Sequence, residues 1–176
     1  MKALKKICTA LMLLAFAFVF ASCSSDSDDD DDQSITLSDG DYTLAITQGA
    51  VKYDIKATAS NGSWTFKSGS KTKTVDLTTQ MTTDELADFN KKNYDEKKAM
   101  VKAEMKFSDD AEVSFDDNKV IVKTTLSAAE LTEMQENYKL SSIPSDAKIE
   151  TITDKTEYVI TMSGKDGTIV FHVNKV

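Results

Sequence analysis

From residue 35 onward, apolar and polar residues alternate with a period of two, which is typical of strands with one buried face. Tyr42, Leu44 and Ile46 share one face of the first predicted strand, and Gln48-Gly49 turns the chain. The next alternating segment predicts a second half-buried strand. Its apolar face consists of Val51, Tyr53, Ile55, Ala57 and Ala59.

Asn61-Gly62 follows this segment and is a strong signal for a two-residue hairpin loop. Such a loop places Ala59 opposite Trp64 and Ala57 opposite Phe66, so each small side chain lies beside a large ring on the same face. A fourth strand is predicted over residues 72–78, with Val75 and Leu77 directed inward.

After residue 80 the apolar period becomes that of a helix. Thr82 and Glu85 have the spacing of a capping box, and they predict one long helix over roughly residues 83–106, bent near Tyr94. Its middle, residues 91–98, is strongly charged and is expected to face solvent.

Strand pattern then returns in a predicted hairpin, with Val113 and Phe115 on one strand and Val120 and Val122 on the other. Its turn is formed by residues 116–119. A second capping box, Ser127 to Glu130, begins a helix that carries Leu131, Met134 and Tyr138, and Pro144 closes this region. The last hairpin pairs Tyr158, Ile160 and Met162 with Ile169, Phe171 and Val173 across a loop at residues 164–167.

Helices grouped against an antiparallel sheet define an α+β fold. We therefore expect residues 35–176 to form a single α+β domain, an antiparallel sheet of hairpins with two helices packed on it. The length of this segment, about 140 residues, suits one domain with one core.

The first 22 residues have the organisation of a secretion signal. Three lysines among the first six residues precede an uncharged run at residues 7–20, which is shorter than the roughly 20 residues that a membrane-spanning helix needs. Ala21, Ser22 and Cys23 end this run. An ordinary secretory leader and an uncleaved membrane anchor are the alternatives.

Ala21, Ser22 and Cys23 resemble the lipobox of bacterial lipoproteins, although Phe20 stands where that family usually has leucine. The resemblance implies cleavage after Ser22 and attachment of diacylglyceryl and a further acyl chain, such as palmitate, at Cys23. Several acyl chains hold a protein on a membrane stably. The body loosely resembles small α+β cell-envelope lipoproteins, and no functional residue is carried over from them.

Residues 23–34 are expected to form a lipidated, acidic, disordered linker, because five consecutive aspartates at 28–32 repel one another. An acidic tract after the lipidated cysteine resembles the surface-export signal of some Gram-negative lipoproteins. We therefore expect an outer-membrane lipoprotein exposed at the cell surface, with a periplasm-facing body as the alternative. The tract lacks the glycine and distal glutamate of a calcium-binding EF-hand.

Composition narrows the possible partners. The net charge is −8, and all 21 basic residues are lysine, so the chain has no guanidinium group for bidentate phosphate contacts. Binding to nucleic acid is not expected of such an acidic chain. The two cysteines, Cys8 and Cys23, both lie at the N-terminus, which leaves no thiol in the body for a disulfide, a zinc site or catalysis.

Candidate chemistry in the body is sparse. His172, the single histidine, lies between Phe171 and Val173 and should face away from their side chains. The paired carboxylates Asp109/Asp110 and Asp116/Asp117 have the residue type of a glycosidase pair, but adjacent aspartates are also typical of turns. Trp64, Tyr42 and Tyr53 are candidates for a sugar-binding platform, and their alternation with small residues favours the core instead.

These observations favour an envelope-anchored, non-enzymatic binding or interaction module, without catalytic residues, metal or cofactor. Besides the membrane reached through the lipid on Cys23, its expected partner is a protein or a glycan of the cell envelope. One alternative is an inhibitory or structural subunit of an envelope complex. Another is a small carboxylate-dependent hydrolase, which requires two acidic side chains in one cleft.

Overall fold

The computed structural model describes residues 35–105, 110–140, 143, 146–164 and 167–176. The predicted signal peptide, Cys23 and the acidic linker lie outside the described residues, as do Asp109, Pro144 and the tip of the last hairpin loop, residues 165–166.

Eight strands, three α-helices and one 3-10 turn follow one another along the described chain. The strands are β1 (Gly40–Gln48), β2 (Val51–Ser60), β3 (Ser63–Asp76), β4 (Glu112–Asp116), β5 (Lys119–Thr125), β6 (Lys148–Thr153), β7 (Glu157–Gly164) and β8 (Gly167–Lys175). The α-helices are α1 (Thr83–Asn90), α2 (Tyr94–Met105) and α3 (Ala128–Asn137), and the 3-10 turn is Leu77–Thr79.

The strands form one antiparallel sheet in the order β4-β5-β3-β2-β1-β8-β7-β6. The predicted α+β class and the antiparallel sheet are therefore confirmed. The sheet is larger than the predicted set of hairpins. The described residues form three α-helices, whereas two were predicted.

The described chain divides into two compact units. Lys71–Thr125 form the small unit, and residues 35–70 together with Leu126–Val176 form the large unit. Because the division falls within β3, the first half of this strand belongs to the large unit and the second half to the small unit.

The large unit is built around β1, which pairs with β2 on one side and with β8 on the other. Leu44 lies opposite Ile55 of β2 and Val173 of β8, and all three side chains are buried. Leu131 and Met134 of α3 and Tyr138, which caps its C-terminal end, belong to the same core. One face of this antiparallel sheet is thus buried, as the period of two predicts.

Local turn chemistry explains the hairpins of the large unit. Asn61 and Gly62 have φ values of 50° and 75°, as the predicted two-residue loop requires. In the last hairpin, Met162, Ile160 and Tyr158 lie opposite Ile169, Phe171 and Val173, which confirms the predicted register.

The small unit has its own core of valines and aromatic side chains from β3, β4, β5, α1 and α2. The predicted hairpin is confirmed, with Asp116 opposite Lys119 and Asp117 in the turn at φ 48°. The buried members of the core are Val75, Leu77, Phe89, Val101, Val113, Val120 and Val122.

The single helix predicted over residues 83–106 is wrong, because the chain forms two helices. Thr82 and Glu85 do form the predicted capping box of α1. A second reciprocal cap then begins α2: the Asn93 side chain accepts from the Glu96 N–H at 2.9 Å, and the Glu96 carboxylate accepts from the Asn93 N–H at 3.0 Å. Asn93 therefore restarts the helix just before Tyr94, where the sequence predicted only a bend.

Two strand predictions also need correction. The predicted separate strand at residues 72–78 is the second half of β3, which ends at Asp76 because its carboxylate accepts from the Thr78 N–H and begins the 3-10 turn. Leu77 is buried in that turn instead of in a strand. The sequence did not predict β6, whose residues are nearly all exposed.

The first prediction concerns Gly69, because neighbouring backbone and side-chain atoms lie very close to β3 at this residue. A Cβ atom at Gly69 would lie 3.0 Å from the Asp54 carbonyl oxygen, 3.0 Å from Leu126 Cδ1 and 3.2 Å from Ile55 Cγ1. We expect Gly69→Ala to lower the free energy of unfolding by about 1–3 kcal/mol through overpacking. Ser68→Ala, at an exposed neighbouring position, is the matched control in urea denaturation. Equal stability of the two variants would contradict this account of the contact.

Candidate functional site

The three aromatic residues considered as a sugar platform all belong to the core of the large unit. Tyr42, Tyr53 and Trp64 are 1%, 5% and 6% exposed. The Trp64 Nε1–H donates to the Tyr138 carbonyl at 2.7 Å, which satisfies the indole within the core. The core interpretation is confirmed, and these rings offer no exposed stacking surface.

The cavity described near these rings is small. Trp64, Tyr138, Ile160 and Phe171 help to line an apolar cavity of about 10 Å³. This volume is enough for about one water molecule. It does not provide a binding site for a small molecule among the described residues.

The candidate carboxylates that the structure describes lie in turns or directly beside them. Asp116 and Asp117 are exposed at the β4–β5 turn, where the positive φ of Asp117 gives aspartate a backbone role. Asp110 is exposed before β4, and its neighbour Asp109 lies outside the described residues. The turn interpretation is confirmed for the Asp116/Asp117 pair.

His172 is exposed on β8, on the face opposite Phe171 and Val173, as its position in the alternation predicts. Its cross-strand neighbours are Ala45 of β1 and Val159 of β7. Neither neighbour offers a polar side-chain atom to orient the imidazole, so these contacts do not form a catalytic pair.

Lys73 of β3, which was not among the candidates predicted from the sequence, is a buried charged residue in the small unit. Burial lowers the pKa of Lys73 to about 8, and the positive charge of Lys71 adds to this effect. The sequence contained a signal for the burial of Lys73. Lys73 lies two residues before Val75, so both side chains point to the core-facing side of β3.

The sheet of the large unit has a second face opposite its core, which we call the open face. In its middle row, Asp54, Ala45, His172, Val159 and Glu150 lie side by side across β2, β1, β8, β7 and β6. Every member of this row is exposed or half-buried.

Two parallel rows flank the middle row. One consists of Lys56, Thr43, Asn174 and Glu157. The other consists of Lys52, Thr47, Val170, Thr161 and Lys148. Short uncharged side chains thus occupy much of the centre of the open face, and charged side chains lie towards its two margins.

The open face is suited to packing against a broad partner. Short side chains on a sheet allow a second flat surface to approach to about 10 Å between backbones. Ala45, Val159 and Val170 supply apolar contact area at the centre. The charges at the margins, including the Lys52–Asp54 ion pair at 2.8 Å, can set the orientation of a partner.

The start of the described chain is fixed to one end of the large unit. Ile35 and Leu37 are buried in the core. The Tyr42 hydroxyl lies 2.9 Å from the Ser38 carbonyl oxygen and 2.8 Å from that of Lys155, in the β6–β7 turn. This buried hydroxyl therefore links residues just before β1 to that turn.

Two further contacts hold the same segment. The Tyr158 hydroxyl donates to the Thr36 carbonyl at 2.9 Å and accepts from the Lys155 N–H at 2.8 Å. The Lys175 ammonium donates to the Ser38 hydroxyl at 2.9 Å and to the Asp39 carbonyl at 2.8 Å. Residues 35–39 are therefore an integral part of the fold.

No protein-family model, curated protein or solved structure matches this chain. Within the described parts of the chain, no helix is both long enough and apolar enough to cross a bilayer. The same residues contain no group of three or more His, Cys, Asp or Glu side chains placed to hold a metal ion.

The tyrosine contacts give the second prediction. Tyr42→Phe removes the hydroxyl shared by the Ser38 and Lys155 carbonyls, so it should lower the free energy of unfolding by about 1–3 kcal/mol. It should also speed proteolysis before residue 40. Tyr94→Phe, which removes a hydroxyl bound to the Val113 carbonyl in the small unit, is the control. Unchanged cleavage before residue 40 in Tyr42→Phe would show that this hydroxyl does not hold the segment.

Proposed function

We propose that this chain is a bacterial envelope lipoprotein, cleaved after Ser22 and lipid-modified at Cys23. Its body would serve as a non-enzymatic binding or interaction module. The observation that carries this proposal is the charged start, the short apolar run and the lipobox-like residues Ala21, Ser22 and Cys23. Several acyl chains on one cysteine would hold the protein at the membrane stably.

The contacts of residues 35–39 support a tethered arrangement. Because Ile35 and Leu37 are already buried in the core, the free length of the proposed tether would lie before residue 35. An extended chain of 11 residues, 24–34, spans at most about 35–40 Å. The body would therefore stay within that distance of the membrane, and the end that carries the β6–β7 turn would be the tethered end.

We propose the outer face of the outer membrane as the location. The support is the acidic tract at residues 28–32, which directly follows the proposed lipid anchor. A periplasm-facing body is the other outcome. Protease added to intact cells distinguishes the two, since only a surface-exposed body would be cleaved without breaking the outer membrane.

We propose the open face as the surface that binds a protein or glycan partner of the envelope. Its support is a half-buried apolar centre, Ala45, Val159 and Val170, on an extended sheet face with charged margins. A surface of this kind suits recognition of a broad partner, whereas the small cavity near Trp64 does not.

The proposed anchor gives the third prediction. Cys23→Ser should abolish labelling of the protein by a fatty-acid probe and release the body from the membrane fraction, because the acyl acceptor is lost. Cys8→Ser lies within the proposed leader and should keep both the label and the membrane association. Fatty-acid labelling of Cys23→Ser at the wild-type level would contradict the proposed anchor.

The proposed binding surface gives the fourth prediction. Ala45→Lys adds a long charged side chain at the centre of the open face, so it should weaken partner capture from envelope extracts by about tenfold or more. Ser114→Lys makes a similar change at an exposed strand position of the small unit and should leave capture unchanged. The same proteins and glycans recovered in equal amounts by both variants would exclude the open face as the binding surface.

A further inference from the structure

The outer edge of β6 differs from the other edge of the large unit. On the first half of β3, the Phe66 N–H donates to Gln135 Oε1 of α3 at 2.9 Å, and the Gly69 carbonyl accepts from the Leu126 N–H at 2.9 Å. The backbone of that strand is thus partly covered by side-chain and loop contacts. At the opposite end of the strand order, β6 pairs with β7 and with no other described strand.

The side chains of β6 are also mostly exposed. Five of its six residues are exposed, Ile149 is half-buried, and Ile152 is 58% exposed. β6 contains no proline, and its register irregularity falls late, between Thr151 and Thr153. An exposed edge of this kind is a template for pairing with a further strand.

The charges of β6 are arranged symmetrically about Ile149. Lys148 and Glu150 lie opposite Thr161 and Val159 of β7, so both belong to the open face. Ile149 lies opposite Ile160 and packs against the core. A positive residue and a negative residue thus flank an apolar residue at equal distances along the strand.

We propose that two copies of this chain associate through β6, antiparallel, with Ile149 of each copy opposite Ile149 of the other. In this register Lys148 of each copy lies opposite Glu150 of the other, which forms two ion pairs related by a two-fold axis. The isoleucine pair extends the core side of both sheets. Strand addition supplies main-chain hydrogen bonds, and the charges select the partner.

Neighbouring antiparallel registers are less favourable. Centring the pair on Glu150 places the two Glu150 carboxylates opposite each other. Centring it on Thr151 places Glu150 opposite the apolar Ile152 and moves Lys148 opposite Asp154 of the β6–β7 turn, so the two Lys148–Glu150 ion pairs are lost. The self-complementary charges therefore favour a second copy over an unrelated peptide strand. This association does not depend on the proposed lipid anchor.

Site-directed cysteines in the full chain test the proposal, because the described body contains no cysteine. Oxidation of Ile149→Cys should yield a dimer that is reversible by reduction. Thr151→Cys should not, because the two introduced residues lie four positions out of register, about 13 Å apart, which exceeds disulfide reach. The unmodified chain measures any background from Cys8 and Cys23.

A second pair of variants changes exposed positions, so this test does not depend on correct folding of Ile149→Cys. Lys148→Cys and Glu150→Cys, co-expressed on differently sized tagged chains, should cross-link to each other. Each expressed alone should cross-link weakly. No reducible dimer from either design, or equal dimer yields at positions 149 and 151, would overturn the proposal.

Charge reversal tests the register itself, with Ile149→Cys as the reporter. Adding Lys148→Glu or Glu150→Lys alone should lower the cross-link yield about tenfold, since each creates two like-charge contacts. Combining both changes in one chain, or mixing the two single variants, restores opposite charges and should restore the yield. Equal yields from the two single variants, the double variant and the mixture would show that cross-linking reflects random collision and would overturn the proposed pairing.

Discussion

One-sided burial of the sheet in the large unit is the constraint on which its other properties depend. In β1, Leu44 and Ile46 are almost fully buried, whereas Thr43, Ala45 and Thr47 between them remain exposed or half-buried. The period of two makes this separation unavoidable, because successive side chains of a strand point to opposite faces. The same alternation in β2, β7 and β8 yields both a continuous core and a continuous open face.

The non-local pairing of β1 with β8 brings the two ends of the folded chain together. Lys175 contacts Ser38 and Asp39, and the Val176 N–H donates to the Asp41 carbonyl. Tyr42 and Tyr158 add contacts from within the core side of the sheet. These contacts fix the position at which the proposed acidic tether would leave the body, so that the attachment point has a defined place relative to the open face and β6.

Local chemistry made much of this fold predictable from the sequence. The Asn61-Gly62 loop, both predicted capping boxes and the register of β7 with β8 depend on residues close together in the chain. The division of the predicted long helix was missed because its signal is a reciprocal Asn93–Glu96 cap inside a charged segment. β6 was missed because an edge strand with mostly exposed residues has little one-sided apolar pattern.

The candidate surface was less predictable than the fold. The alternation identified the outward positions, including that of His172, but it did not identify their neighbours. Ala45, His172 and Val159 become adjacent only through the β1–β8 and β7–β8 pairings, and the first of these joins strands more than 100 residues apart. Sequence periodicity reports the face of a residue, whereas the strand order determines which residues share a surface.

The proposed role as a tethered envelope module is tested most directly by mass spectrometry of the N-terminal peptide of the protein isolated from its native membranes. The proposal predicts a peptide that begins at residue 23 and carries the added mass of a diacylglyceryl group and a further acyl chain. A peptide with residues 1–22 still attached, or an unmodified thiol at residue 23, would contradict it.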